Sequence, residues 1–307
     1  MASTLAGLAN GLVPESVASE ILKRATDQSV VRRLSGSTPI PLTGATIAVQ
    51  TGHIEAGVVG EGEAKPVGGT AYTPKSIKPI KIAAIAVVSD ELARTNPAGI
   101  FDNIGEDLAD SITRAFDLAV LHGRSAKTGS TIAGVEYVNQ TANRIELGAS
   151  TKANGGLSAD LVAGYNAVLN GSQVQNGFTG FAADPRFRGE LMGAVDVNGR
   201  PIFQQGVDLS AAMDSVLGLP AAYGRPVGGA IGASTDTGVR AFGGDWSALK
   251  YGFAQNLTIS TSKEATIVDG ATTYNLFQQN MTAVLVEATF GWVISDVDSF
   301  VAYENLV

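Results

Sequence analysis

The chain has 307 residues, enough to bury one large core or two modest ones. Hydrophobic residues make up 45% of it and charged residues only 16%, against a norm of about 25%. The sequence is therefore globular, and so thin a cover of charge points to a surface occupied by copies of itself, with a loop-rich monomer as the alternative. With 21 Lys and Arg against 29 Asp and Glu, the net charge of −8 excludes electrostatic wrapping of nucleic acid, though not its enclosure. A chain without cysteine has no disulfide, thiolate nucleophile or Cys-ligated metal.

The opening "MASTLAGLANGLVPESV" lacks a basic n-region and a long apolar core, so no signal peptide is expected. Residues 13–34 read as one amphipathic helix. Pro14 suits its first turn, and Val17, Ile21, Leu22, Val30, Val31 and Leu34 form an apolar stripe. Arg32 and Arg33 suit its C-terminal end. "SGSTPIPLTG" breaks it, leaving an arm suited to packing outside its own core. "ATIAVQ", Ala45 to Gln50, is a strand.

Residues 51–82 form a long two-stranded excursion, bent at the glycine-rich "GVVGEGEAKPVGG" and edged by Pro74 and Pro79 on the return. An isolated hairpin is marginal in water, so this one must lean on its body or on a neighbour. Lys75, Lys78 and Lys81 line the return as a small positive stripe facing acidic protein. The apolar run Ile82–Val88 is far short of the roughly 20 residues of a membrane-spanning helix, so a soluble, intracellular chain is expected. In "SDELARTNP" Ser89 should cap a short helix with Leu92 inward.

The strongest helix spans 97–122. Ile100, Ile104, Leu108, Ile112 and Phe116 recur at every fourth position, His122 is a dipole partner at its end, and Gly123 is a C-cap. Further on, residues 157–170 read as a helix capped by Ser158, and Pro185–Met192 as a short helix before an Asn198–Gly199 turn. "VLGLPAAYGRPVG" reads as a loop. Val284, Val286, Ala288, Phe290, Trp292 and Ile294 share one parity on a long strand. The mixture is α+β without strict βαβ order.

Candidate chemistry fails test by test. A P-loop needs Lys directly after its second glycine, but Glu63 follows Gly62. The third position of a dinucleotide loop falls on Lys65, and Pro66, Gly68 and Gly69 forbid the helix that would receive a phosphate. Glu55, Glu61 and Glu63 would repel one. The two histidines, His53 and His122, lie in unrelated segments, and "DVNG" at 196–199 is a turn rather than a calcium loop. No G-x-S-x-G elbow occurs. Neither cofactor, metal nor catalysis is expected.

The ordered set resembles the major capsid proteins of tailed bacteriophages, with the Hong Kong 97-type fold. It comprises the arm "LVPESVASEIL…VVRRLS", the turn "AGVVGEG", the return "TPKSIKPIKIAAIAVVSDEL", the helix "IFDNIGEDLADSITRAFDLAVLHG", then "VLGLPA", "FGGDWSALKYG" and the closing "TAVLVEATFGWVISDVDSFVAYE". The resemblance covers nearly the whole chain. It implies an N-terminal arm at 1–35, an extended hairpin (the E-loop) at 51–82 lying across a neighbouring subunit, a peripheral domain from 36–50, 83–154 and 281–307 around a spine helix, and an axial domain at 155–280. It further implies pentamers and hexamers closing into an icosahedral head, assembled in the host bacterial cytoplasm, that encloses DNA without sequence-specific binding. Portal, cement or decoration proteins are partners of such shells. The arm begins near Met1, so a separate scaffolding protein, none, or a scaffolding segment removed from the chain is expected. Arg32, Arg33, Glu55, Gly60, Glu61, Gly62, Glu63, Lys65, Lys75, Lys78 and Lys81 are the candidate subunit contacts. Lys65, Lys75 and Lys78 lie where some relatives form an isopeptide, but no partner asparagine is evident and cross-linking is not expected. Two rival readings are an encapsulin-like nanocompartment shell and an acidic ligand-binding domain.

Overall fold

A computed structural model describes residues 29–305 apart from 51, 53, 96–99, 172–176 and 204–214. In chain order its main elements are α1 (Val30–Leu34), β1 (Gly36–Ser37), β2 (Ala45–Gln50), β3 (Tyr72–Ile77), β4 (Ile80–Ser89), α2 (Asp90–Thr95), α3 (Ile100–His122), β5 (Arg144–Glu146), α4 (Gly156–Gly171), β6 (Gly180–Ala183), α5 (Pro185–Gly193), β7 (Ser215–Val216), β8 (Leu219–Tyr223), β9 (Val239–Gly244), β10 (Leu249–Ser262), β11 (Thr266–Asp269), β12 (Thr272–Asn275), β13 (Met281–Ile294) and β14 (Phe300–Glu304).

The long helix and the long strand meet as their periodicities demand. Leu108 and Ile112 of α3 pack on Val284, Val286 and Ala288 of β13, in a four-stranded sheet of order β1-β10-β13-β4. Phe116 continues the stripe into an aromatic cluster, edge-on to Phe290 with centroids 4.8 Å apart and to Tyr251 at 5.6 Å. Gly123 ends the helix at φ +62°, its N–H bonded to the Ala119 carbonyl. The second sheet runs β5-β14-β9-β6-β8-β7. Leu161 and Val168 of α4 and Phe187 and Leu191 of α5 bury against its Phe181, Ala241, Val301 and Tyr303.

Besides the long passage from β4 through α3 to β5, two short chain crossings join the sheets. β9 passes into β10, and β13 into β14, each through a three-residue 3-10 turn, Trp246–Ala248 and Val297–Ser299. The crossings touch: Asp245 N–H donates to the Ser299 carbonyl at 3.0 Å. Gly244 sits there at φ +148°, where a Cβ would lie 2.3 Å from that same oxygen. Trp246, fully buried, donates its indole N–H to the Gly180 carbonyl at 3.1 Å.

The crossings divide the strands differently from the expected boundaries. β10, placed with 155–280, pairs along its length with β13, whereas β14, placed with 281–307, lies between β5 and β9 in the other sheet. A short turn changes a strand's sheet without leaving a composition break. Three local readings also change. The helix expected over 13–34 does not run through Ser29, which is extended (φ −72°, ψ 125°) and N-caps α1; residues 13–28 lie outside the described residues. Ser158 is inside α4 rather than at its cap, because Gly155 and Gly156, both at positive φ, turn the chain two residues earlier. "VLGLPAAY" is not a loop. Leu217 and Gly218 both have φ > 0 in a tight turn, and β8 lies parallel to β6 with Ala221 and Ala222 buried.

Other readings stand. Ser89 accepts from Leu92 N–H at the head of α2. The short helix expected at Pro185–Met192 is α5, which Asp184 caps. Asp196 accepts from the N–H groups of Asn198 and Arg200, closing the turn at Gly199.

Candidate assembly surface

Among the described residues β2 and β3 pair only with each other, Ala45 opposite Ile77 through Gln50 opposite Tyr72. The register continues past the ladder. Gly52 N–H donates to the Ala71 carbonyl at 3.4 Å, and a Cβ on Gly68 would lie 3.0 Å from Ile54 Cγ2, one on Gly57 3.3 Å from Pro66 Cγ. The legs close at a turn where Glu63 N–H donates to the Gly60 carbonyl at 3.2 Å. Gly62, at φ +84°, occupies its third position, which a side chain would strain. The excursion therefore runs over 45–77 rather than 51–82. Ala45–Gln50 belongs to the hairpin, while Pro79, lacking an N–H, separates β3 from β4, which turns into the body. At about 3.3 Å per residue it projects roughly 50 Å.

This hairpin carries apolar side chains into solvent. Val58 and Val67 are fully exposed, and Ile54 and Tyr72 are 58% and 60% exposed. Glu55, Glu61, Glu63 and Lys65 stand beside them, also exposed. The tip has no vacant cradle for phosphate, since the Glu63 carboxylate accepts from Gly60 N–H at 3.1 Å.

The lysine stripe expected along the return leg is largely consumed within the chain. Lys75, half-buried, bonds Glu136 at 2.7 Å and the Ile294 carbonyl at 2.9 Å. Lys81 pairs with Glu287 at 2.7 Å across the β4–β13 ladder. Together with Ile77, packed against Ile40 and Val293, Lys75 fixes the hairpin's root. Lys78 is exposed beside Gly134. Arg32 and Arg33 stand apart from the hairpin. Arg32 lies over the Phe253 ring, 4.9 Å from its centroid, and Arg33 is exposed on α1.

Sequence reasoning missed Asp117. Buried in α3, its carboxylate accepts from Ser29 Oγ at 2.6 Å and from the N–H groups of Val30 and Val31 at 2.9 and 3.4 Å, so the spine caps α1. Burial outweighs these bonds and pushes its carboxyl up to about 6. His122, also buried, is not the charged dipole partner expected. Its Nε2 bonds the Val227 carbonyl at 2.8 Å, and burial pushes it down to about 4, keeping it neutral at pH 7. His53 lies outside the described residues. Among the described residues no group of three or more His, Cys, Asp or Glu is placed to hold a metal, and no helix is long and apolar enough to cross a membrane.

Comparison with known proteins agrees with this architecture. The "Probable major capsid protein gp17" of Mycobacterium phage D29 is 30% identical over 300 residues, spanning 96% of this chain and 90% of that one. A structure from Gordonia phage Cozz superposes with a TM-score of 0.78 at 34% identity, covering 91% of this chain and 87% of its own. One from Mycobacterium phage Ogopogo shares the fold at TM-score 0.76 and 23% identity, over 91% and 92%. The model of the phage capsid family matches residues 9–305, and the chain belongs to that family.

Proposed function

We propose that this chain is the major capsid subunit of a tailed bacteriophage, building the icosahedral head that encloses the double-stranded DNA genome. The observation that carries the reading is the hairpin. A projection of roughly 50 Å with exposed Ile54, Val58 and Val67 has no stable place on an isolated molecule and is satisfied by lying across another copy. The relatives named above support it, as does the low surface charge of a subunit that faces itself on many sides.

On this reading the hairpin of residues 45–77 acts as the E-loop. Glu55, Gly60, Glu61, Gly62, Glu63 and Lys65 at its tip are the subunit contacts, with Lys78 at its root and Arg32 and Arg33 from the arm. Lys75 and Lys81 act one step back, by aiming the hairpin. Residues 1–35 form the arm, α3 and its sheet the peripheral part, and α4, α5 and the six-stranded sheet the axial part around five- and six-fold positions. Pentamers and hexamers join through heterologous contacts that close. Scaffolding, portal and decoration proteins are the further partners this role calls for; the assembled product is a virion shell formed in the host cytoplasm. The net charge of −8 suits a container that holds DNA without gripping it.

The test is expression followed by electron microscopy and sedimentation velocity. Rings or shells tens of nanometres wide are expected; monomer alone at high concentration, with and without a co-expressed scaffold, would refute the reading.

A further inference from the structure

Five asparagines in the chain are followed directly by glycine, at positions 10, 154, 170, 176 and 198. Such a pair is chemically weak, because glycine has no side chain to shield its amide nitrogen from the preceding asparagine Cγ. Three of the pairs lie wholly among the described residues, and the fold treats them differently. Asn198 is exposed but pinned. Its own N–H and that of Arg200 donate to the Asp196 carboxylate at 2.8 and 2.7 Å, and Gly199 N–H donates to the Asp196 carbonyl at 3.1 Å. Asn170 and Gly171 close α4, where the Gly171 amide belongs to the helical ladder. Asn154 is held least. It ends a three-residue 3-10 turn, Lys152–Asn154, inside a run exposed from Thr151 to Gly155. Gly155 N–H reaches the Lys152 carbonyl only at 3.4 Å, beyond the range of an ordinary N–H···O bond.

We propose that Asn154 is a site of spontaneous self-modification, converting to aspartate and isoaspartate ahead of the other described Asn-Gly pairs. The reaction needs only water. Gly155 N loses its proton to solvent and bonds Asn154 Cγ. The Cγ–Nδ2 bond breaks, and the leaving nitrogen takes a proton from solvent and departs as ammonia, which leaves a five-membered imide. Water then opens the ring at Cγ to give aspartate, or at the main-chain carbonyl carbon of the same residue to give isoaspartate; nothing is oxidised or reduced. The two products act differently on α4. The Thr151 carbonyl accepts from Gly156 N–H at 3.0 Å, closing the chain around Asn154 where α4 begins. Aspartate adds a negative charge beside the positive end of that helix, which favours it. Isoaspartate routes the main chain through one extra carbon inside the closure and opens it. Each copy of the chain converts independently of the others, so the modified fraction records the age of the protein.

The test holds the purified protein at mildly alkaline pH, native and in urea, and follows each asparagine by site-resolved mass spectrometry, with enzymatic methylation of isoaspartate as a second readout. In the native protein Asn154 should convert about tenfold faster than Asn198 or Asn170, as expected where hydrogen bonds must open first at the slower sites. In urea the three should convert at similar rates. Native conversion led by Asn198 or Asn170, or an Asn154 that stays intact until urea is added, overturns the proposal. So does the same ranking in urea, which places the cause in the sequence rather than in the fold. Asp196→Ala frees the amides of Asn198 and Arg200, and should raise conversion at Asn198 about threefold or more while leaving Asn154 unchanged. No rise overturns hydrogen bonding as the basis of the order. Asn154→Gln should abolish the early release of ammonia while preserving the far-UV circular dichroism; undiminished early release overturns the assignment to Asn154.

Discussion

The six-stranded sheet and the hairpin are built from similar residues and have opposite fates. Every residue of β6 and β9 is buried, whereas residues 60–74 are exposed without exception. Val239 in β9 is fully sheltered by the subunit, whereas Val58 and Val67 are fully exposed. On the capsid reading, the chain completes its own core with part of its apolar content and leaves the rest for surfaces of other copies. Stability and assembly should therefore separate by region.

The largest effect belongs to the body. Phe116→Ala removes the ring at the centre of the aromatic cluster and should cost about 3–5 kcal/mol, measured by urea unfolding of the unassembled subunit. Asp117→Ala should cost about 2–4 kcal/mol, because it leaves Ser29 Oγ and the N–H groups of Val30 and Val31 unpaired.

Asp117→Asn gives a finer test through pH. The Asp117 carboxyl is held near 6, above its ordinary 3.8, so ionising it as pH rises from 4 to 6 lowers stability. His122 is held near 4, below its ordinary 6.5, so its contribution is full above 6.5 and is lost as pH falls toward 4. The two oppose each other across one window. Asp117→Asn should expose the histidine alone, with a loss of about 1–3 kcal/mol between pH 6.5 and 4 where the parent changes less. Equal slopes in urea titrations would count against this pairing of buried groups.

The hairpin should behave in the reverse manner. Gly62→Val forces a side chain into positive φ at the tip turn, a local strain of about 1–2 kcal/mol, and should impair particle formation while leaving the far-UV circular dichroism of the subunit unchanged. Val58→Asp should shift subunit stability by less than about 0.5 kcal/mol yet abolish particles by sedimentation. A Val58→Asp protein that builds normal shells would break the contrast outright.

The parts legible in the sequence were those where one periodicity runs for many residues. The fourfold spacing from Ile104 to Phe116 and the alternate residues from Val284 to Ile294 each fix a face, and the two faces meet. The hairpin tip was legible because Gly60, Gly62 and Pro66 have few other uses. Asp117 was not, since its partners lie 86 to 88 positions away and a carboxylate in a helix reads as a solvated face. β8 was hidden by its own composition, as Gly and Pro around "LPAAY" suggest a loop until β6 supplies the ladder. Of the lysine stripe, spacing revealed neither its division between β3 and β4 nor Glu136 and Glu287, which arrive from distant segments and claim two of the three.

The paired crossings at Asp245 and Ser299 have a mechanical consequence. One covalent link between sheets would be a hinge, about which they could swing. Two links pinned side by side by a hydrogen bond, with Trp246 wedged beside them, resist both swing and twist. A displacement at the hairpin root, which is anchored on Val293 and the Ile294 carbonyl, should therefore pass along β13 into β14 as through a stiff lever, reaching the far sheet of the same molecule.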